Sequence, residues 1–65
     1  MQLIVNGIKE TGMGATLADL VAAKKLSKES LVVELNGLII KEEHWAHATL
    51  KDGDQVELLN FVGGG

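Results

Sequence analysis

The chain has 65 residues, no cysteine, six lysines without an arginine, and a formal charge of −3 at pH 7. Disulfides, iron–sulfur clusters and thiolate zinc sites are therefore excluded, and nothing indicates the basic surface with which proteins bind nucleic acid. The apolar runs are far too short to span a bilayer and no basic, apolar leader opens the chain, so we expect a cytoplasmic protein that contacts no membrane.

The first half of the chain predicts a hairpin followed by a helix. Residues 1–5 are suited to a strand, and Asn6-Gly7 is a strong hairpin signal because both central positions of a type I′ turn need positive φ. Ile8–Thr11 is then the returning strand. Helical apolar spacing follows over residues 16–25, where the first threonine suits an N-cap. Asp19, three residues later, suits the positive end of the helix dipole.

The second half predicts a further hairpin, a crossover and a last strand. Leu31–Leu35 and Leu38–Ile40 are strands on either side of a second turn, Asn36-Gly37. Residues 41–48 are polar around Trp45, and we expect a helical turn there whose indole plugs the core. An Asp-Gly-Asp turn at 52–54 leads into a strand over 55–61.

This order of elements predicts an α+β domain in which one main helix covers one face of a mixed sheet of four to five strands. Ubiquitin-like β-grasp domains have this arrangement. We expect the β-grasp domain to occupy residues 1–61 and a flexible glycine-rich tail to occupy residues 62–65.

The tail Val62-Gly63-Gly64-Gly65 adds nothing to a core, so its composition needs another cause. Without side chains it can thread a narrow channel in a partner, and its four residues reach about 13–14 Å when extended. The reactive group would be the carboxylate of Gly65, which is ionised at neutral pH and needs activation, most simply as an acyl-adenylate made with ATP. The alternative is a disordered end or an expression scar.

Taken together, these features resemble the ThiS family of sulfur carriers in thiamine biosynthesis, whose members are ubiquitin-like β-grasp proteins of about this length. The resemblance covers the whole chain. It rests on Asn6-Gly7, Thr16-x-x-Asp-Leu, Asn36-Gly37, Trp45, Asp52-Gly53-Asp54 with Val56 and Glu57, and the ending Phe61-Val62-Gly63-Gly64-Gly65.

The resemblance implies a carrier that is a substrate of other enzymes and is not an enzyme itself. A ThiF-like adenylating enzyme would activate Gly65 with ATP and Mg²⁺, and the resulting thiocarboxylate would give its sulfur to a ThiG-like thiazole synthase. Gly63 and Gly64 would thread the tail. A cysteine desulfurase or another sulfur source would act indirectly, and the chain would bind no cofactor of its own.

Strand alternation predicts a docking patch next to the tail. If the helix covers the face with Met1, Leu3, Val5 and their partners, the opposite face carries Ile4, Val32, Leu59 and Phe61. With Val62, these residues would bind the partner enzymes. The alternative is an ordinary surface, because more than half of any folded surface is apolar.

Other functions remain open at this point. A molybdopterin synthase small subunit or another thiocarboxylate carrier has the same chemistry, and a ubiquitin-like modifier would instead form isopeptide bonds. A β-grasp binding module with an incidental tail is a fourth reading. His44 and His47 are spaced like metal ligands, but we expect a plain exposed segment and no metal site.

Overall fold

A computed structural model describes residues 1–12 and 14–61. Its sheet is mixed and has five strands in the order β2-β1-β5-β3-β4. β1 and β5 are parallel, and the other neighbouring pairs are antiparallel. The strands are β1 (Gln2–Val5), β2 (Ile8–Thr11), β3 (Leu31–Leu35), β4 (Leu38–Ile40) and β5 (Gln55–Asn60).

The main helix, α1, spans Leu17–Lys24, and two 3₁₀ helices span Lys28–Ser30 and Glu42–His47. The predicted β-grasp fold is confirmed, including the helical turn after β4. The first 3₁₀ helix, just before β3, has no counterpart among the predicted elements. No helix in residues 1–12 and 14–61 is long and apolar enough to cross a membrane.

The core lies between α1 and one face of the sheet. Leu17, Leu20 and Val21 of the helix are buried in one cluster with the inward side chains of the inner strands, namely Leu3, Val5, Leu31, Val33, Val56 and Leu58. The prediction for Met1 is wrong. That residue precedes β1 and is 42% exposed.

Trp45 closes the core at the second 3₁₀ helix. Its side chain is buried, and Nε1 donates to the carbonyl oxygen of Ile40 at 2.7 Å. The indole therefore fills apolar space while its one polar group is satisfied, which is the usual requirement for a buried tryptophan. Its predicted role as a plug of the core is confirmed.

A reciprocal cap fixes the start of α1. The hydroxyl of Thr16 accepts from the backbone N–H of Asp19 at 3.3 Å, and Asp19 Oδ2 accepts from the N–H groups of Ala15 at 2.8 Å and Thr16 at 3.1 Å. Gly14 just before the cap has φ 119°, and a Cβ there would lie 2.6 Å from the Cβ of Asp19. The backbone hydrogen bonds hold the pKa of Asp19 below its ordinary value.

The first prediction concerns acid stability. The folded-state pKa of Asp19 is lowered, so the ionised carboxylate stabilises the folded state. This contribution to stability is fully present above the ordinary pKa of 3.8 and is lost as the pH falls through the folded-state pKa. Asp19→Asn should therefore lose stability at pH 7 and show a shallower loss of the free energy of unfolding below about pH 4. Urea unfolding between pH 7 and pH 2 measures both.

Glu43→Gln, at an exposed position of the second 3₁₀ helix and away from the helix cap, is the matched control and should keep the wild-type pH profile. An acid profile of Asp19→Asn that superimposes on that of the wild type would contradict the assignment.

Candidate functional site

The C-terminal end of β5 is anchored to the first 3₁₀ helix. The N–H of Phe61 donates to the carbonyl oxygen of Ser30 at 2.7 Å, and the hydroxyl of Ser30 donates to Asn60 Oδ1 at 2.9 Å. The backbone is therefore held in place as far as Phe61. The predicted tail, residues 62–65, lies outside the described residues. The roles assigned to Val62, Gly63, Gly64 and Gly65 stay predictions.

Both Asn-Gly turns adopt the predicted conformation, and both also hold β5. Asn6 has φ 51° and Gly7 φ 80°. Asn6 Oδ1 accepts from the N–H of Leu58 at 2.7 Å, and the N–H of Asn6 donates to the carbonyl oxygen of Val56 at 2.9 Å. The turn at the end of β1 thus fixes the strand that leads to the tail.

The second turn holds the start of the same strand. Asn36 Oδ1 accepts from the N–H of Gln55 at 2.9 Å, and Asn36 Nδ2 donates to Asp54 Oδ1 at 3.0 Å. The N–H of Asn36 donates to the carbonyl oxygen of Gln55 at 2.8 Å. These side-chain contacts span 18 to 52 positions of sequence. Each Asn-Gly turn is local in sequence, but its asparagine side chain also stabilises the distant strand β5.

Apolar side chains next to the tail lie on the face of the sheet that α1 leaves open. Val32 of β3 is directly opposite Leu59 of β5. Leu59 is 43% exposed, and Phe61 is 60% exposed one step beyond the strand. Directly opposed side chains on one face are in contact range, so Val32 and Leu59 form one surface that continues to Phe61.

Ile4 shares this face but lies apart from Leu59. In the sheet register Ile4 is beside Gln55 of β5. Four positions of strand separate Gln55 from Leu59, which amounts to about 13 Å at about 3.3 Å per residue. Polar Gln55 and Glu57 lie between them on the open face. The predicted patch of four residues is therefore contiguous only at its tail end.

Sequence reasoning missed Ile39 of β4. Its side chain is 66% exposed on the open face, opposite Glu34 and diagonal to Val32. The short apolar strand Leu38–Ile40 gave no alternation from which to assign a face. The two-residue turn did contain the signal, because it pairs Leu35 with Leu38 and so places Ile39 on the face away from the core. We define the open-face patch as Val32, Ile39, Leu59 and Phe61.

Charge borders the open-face patch. Glu34 of β3 and Glu57 of β5 are directly opposite each other and belong to the same face. Like charges in this position destabilise a sheet. The pair separates the patch from Ile4 and limits the apolar surface to the part of the sheet closest to the tail.

The chain matches the ThiS family over residues 3–65. It is 40% identical over 57 residues to the sulfur carrier protein ThiS of Bacillus subtilis (strain 168), an alignment that covers 88% of this chain and 82% of the relative.

Two solved structures from Geobacter metallireducens share the fold. The crystal structure of a thiamine biosynthesis protein (ThiS) superimposes with a TM-score of 0.82 at 43% identity and covers both chains completely. The solution structure of a thiamine biosynthesis protein from the same organism gives a TM-score of 0.81 at 43% identity, covering all of this chain and 88% of the other.

The support of β5 by asparagine gives the second prediction. Asn6→Gly preserves the positive φ of the turn and removes the side-chain acceptor of the Leu58 N–H, a partly buried group. The variant should lose about 1–3 kcal/mol of the free energy of unfolding, because an unpaired buried donor keeps its desolvation cost. Denaturant titration of the variant and the wild type measures the difference.

In Asn6→Gly, the hydrogen-exchange rate of the Leu58 amide should rise as the free energy of unfolding falls. A control variant, Gly53→Ala, introduces strain at a turn glycine with φ 87° that makes no contact with Asn6. It should also lower stability, but without selective exchange at Leu58. Wild-type stability and exchange in Asn6→Gly would show that the side chain does not support β5.

Proposed function

From the premise that the chain belongs to the ThiS family, we propose that it carries sulfur for thiamine biosynthesis on the C-terminal carboxylate of Gly65. The observation that carries this proposal is the extent of the family match. It spans residues 3–65 and so includes the terminal glycines. If the family match stopped before the glycines, a β-grasp binding module would explain the chain as well as a sulfur carrier does.

The proposed chemistry begins with activation of a poor electrophile. A carboxylate oxygen of Gly65 attacks the α-phosphorus of ATP, and pyrophosphate leaves. Hydrosulfide then attacks the acyl carbon of the adenylate, AMP leaves, the S–H proton is lost, and a thiocarboxylate remains on Gly65. A persulfide donor would instead give an acyl disulfide, and a thiol would have to attack its outer sulfur to release the thiocarboxylate and leave a disulfide on the donor. ATP and Mg²⁺ belong to the activating partner, and this chain supplies the acyl group. Because the chemistry uses ATP, we place it in the cytoplasm.

Two kinds of partner follow from this sequence of steps. A ThiF-like adenylating enzyme binds the unmodified tail, and a ThiG-like thiazole synthase accepts the sulfur, with a cysteine desulfurase or another source supplying it upstream. Gly63 and Gly64 would occupy the narrow approach to either active site. The open-face patch would bind the outside of the partner, and Val62, the first residue of the tail, would extend this contact. Ile4, about 13 Å from Leu59, would lie outside the main contact.

The position of the open-face patch supports this division of roles. Phe61 directly precedes the first residue of the tail, and Leu59 lies two positions before it on β5. A partner that encloses an extended tail of about 13–14 Å must cover the surface from which the tail emerges. Burial of apolar side chains there would contribute binding free energy that the tail, without side chains, does not provide.

Deletion of Gly65 is the third prediction. The variant should fold with wild-type stability, because the helix and sheet of the core end at Asn60. It should lose ATP–pyrophosphate exchange catalysed by the activating enzyme. The tail is one residue shorter in this variant, so its terminal carboxylate would not reach the α-phosphorus of ATP. Lys9→Gln, on the edge strand β2 and outside both the tail and the open-face patch, is the control and should retain exchange.

Exchange at the wild-type rate in the deletion variant would refute the assignment of Gly65. The alternative of a protein modifier predicts adducts of higher mass on denaturing gels after addition of cell extract. A thiocarboxylate carrier predicts none.

The fourth prediction tests the open-face patch. Phe61→Asp should raise the KM of the activating enzyme for the carrier by about tenfold or more, because a charge replaces an apolar contact residue at the centre of the interface. Ile8→Asp is the matched control. Ile8 is 67% exposed, close to the 60% of Phe61, but lies on the edge strand β2. An unchanged KM in folded Phe61→Asp would exclude the patch from docking.

A further inference from the structure

Three of the six lysines lie within five positions of sequence, at the end of the domain from which the tail emerges. α1 ends at Lys24, and the first 3₁₀ helix runs from Lys28 to Ser30, whose carbonyl accepts from the N–H of Phe61 at 2.7 Å. Lys24 pairs with Glu10 of β2 at 2.7 Å. Among the described residues, Lys25 and Lys28 form no salt bridge.

Lys25 has an unfavourable backbone conformation for its type. It follows the last turn of α1 as the C-cap residue, with φ 56° and ψ 39°, in the left-handed region. Glycine is the usual residue at such helix ends, because a Cβ raises the energy of the left-handed conformation. The fold alone would therefore favour glycine at position 25.

Stabilisation of the helix dipole gives an incomplete explanation for this lysine. Cations near a helix C-terminus are favourable, but Lys24 already occupies the last turn of α1. A second cation at the left-handed position adds little to the favourable interaction with the helix dipole, and it carries the conformational cost of a Cβ in the left-handed region. The helix dipole therefore does not account for a lysine at this position.

A cleft opens beside this lysine, between α1 and the second 3₁₀ helix. Its volume is about 390 Å³. Val21 and Trp45 contribute apolar side chains to its lining, Lys25 and Lys28 also line it, and Glu42 contributes from the second 3₁₀ helix. The cleft combines an apolar interior with two cations and one anion, on a protein whose formal charge is −3.

We infer that Lys25, Lys28 and the adjacent cleft form a second docking site, which binds a carboxylate-bearing segment of the activating enzyme that also places an apolar side chain in the cleft. This inference rests on the proposed function. It places a charged contact on the α1 side of the domain. That contact complements the apolar contact of the open-face patch on the other face of the sheet. Charge complementarity at an interface speeds association and orients the partners, which suits a tail that must enter a buried site.

The variant Lys25→Gly separates this role from a structural one. Glycine removes the charge and relieves the left-handed strain, so thermal stability should be equal to or higher than that of the wild type. The association rate with the activating enzyme at low salt should fall about threefold to tenfold, and the dependence of that rate on salt should become weaker. Lys28→Gln should change the association rate in the same direction.

Two control variants have defined expectations. Glu42→Gln removes the anion of the cleft and should speed association. Lys51→Gln removes an exposed lysine next to the turn that precedes β5, at the opposite end of that strand, and should leave the rate unchanged. Stopped-flow association over a range of salt concentrations and thermal melts measure all four variants.

The outcomes distinguish this inference from the proposed function. Failure of the wild type to associate with the activating enzyme would overturn both. Wild-type association with an unchanged rate in Lys25→Gly and Lys28→Gln would overturn the second docking site alone. A lower melting temperature of Lys25→Gly would show that the lysine stabilises the helix, and would also overturn the inference.

Discussion

The pairing of β5 between two hairpins is the constraint on which the rest of the structure depends. The hairpin β1–β2 and the hairpin β3–β4 share no hydrogen-bonded pair of strands with each other, and β5 joins them, parallel to β1 and antiparallel to β3. A parallel pair requires a crossover, and here nearly the whole chain lies between its two strands. β5 therefore joins the two hairpins into one sheet, and its pairing with both β1 and β3 closes the core between them.

This placement of β5 links stability to function. The strand is buried on its inward side through Val56 and Leu58, and two asparagine side chains hold its backbone. Its outward side begins with polar residues and ends with Leu59, next to Phe61. The same strand thus anchors the core and presents the apolar surface beside the tail. In the proposed carrier, the reactive carboxylate would follow a strand that, among the described residues, supplies Val56 and Leu58 to the core.

Local signals in the sequence were sufficient for most of the elements. Both Asn-Gly turns need positive φ, and the threonine and aspartate at the start of α1 satisfy each other over three positions, so short-range chemistry determined them. Trp45 was predictable as a core residue because it is the one large apolar side chain in a polar segment, and its burial is favourable. The resemblance of the chain as a whole supplied the function, which the residues alone restricted only to an activatable carboxylate.

Long-range geometry could not be predicted in the same way. The contact of Asn6 with Leu58 spans 52 positions and leaves no pattern in a single sequence. The separation of Ile4 from Leu59 depends on the register between β1 and β5, which strand alternation does not determine. The exposure of Met1 depends on where β1 begins, since the residue before a strand escapes the helix that covers the sheet.

The central claim is that the C-terminal carboxylate of Gly65 accepts sulfur, and top-down mass spectrometry tests it most directly. The purified carrier is incubated with the activating enzyme, ATP, Mg²⁺ and a sulfur source, and the intact protein is then fragmented. We predict the mass gain of one oxygen-to-sulfur exchange, confined to fragments that contain Gly65. An unchanged mass under conditions in which the enzyme turns over another carrier, or sulfur located on any other residue, would contradict the account.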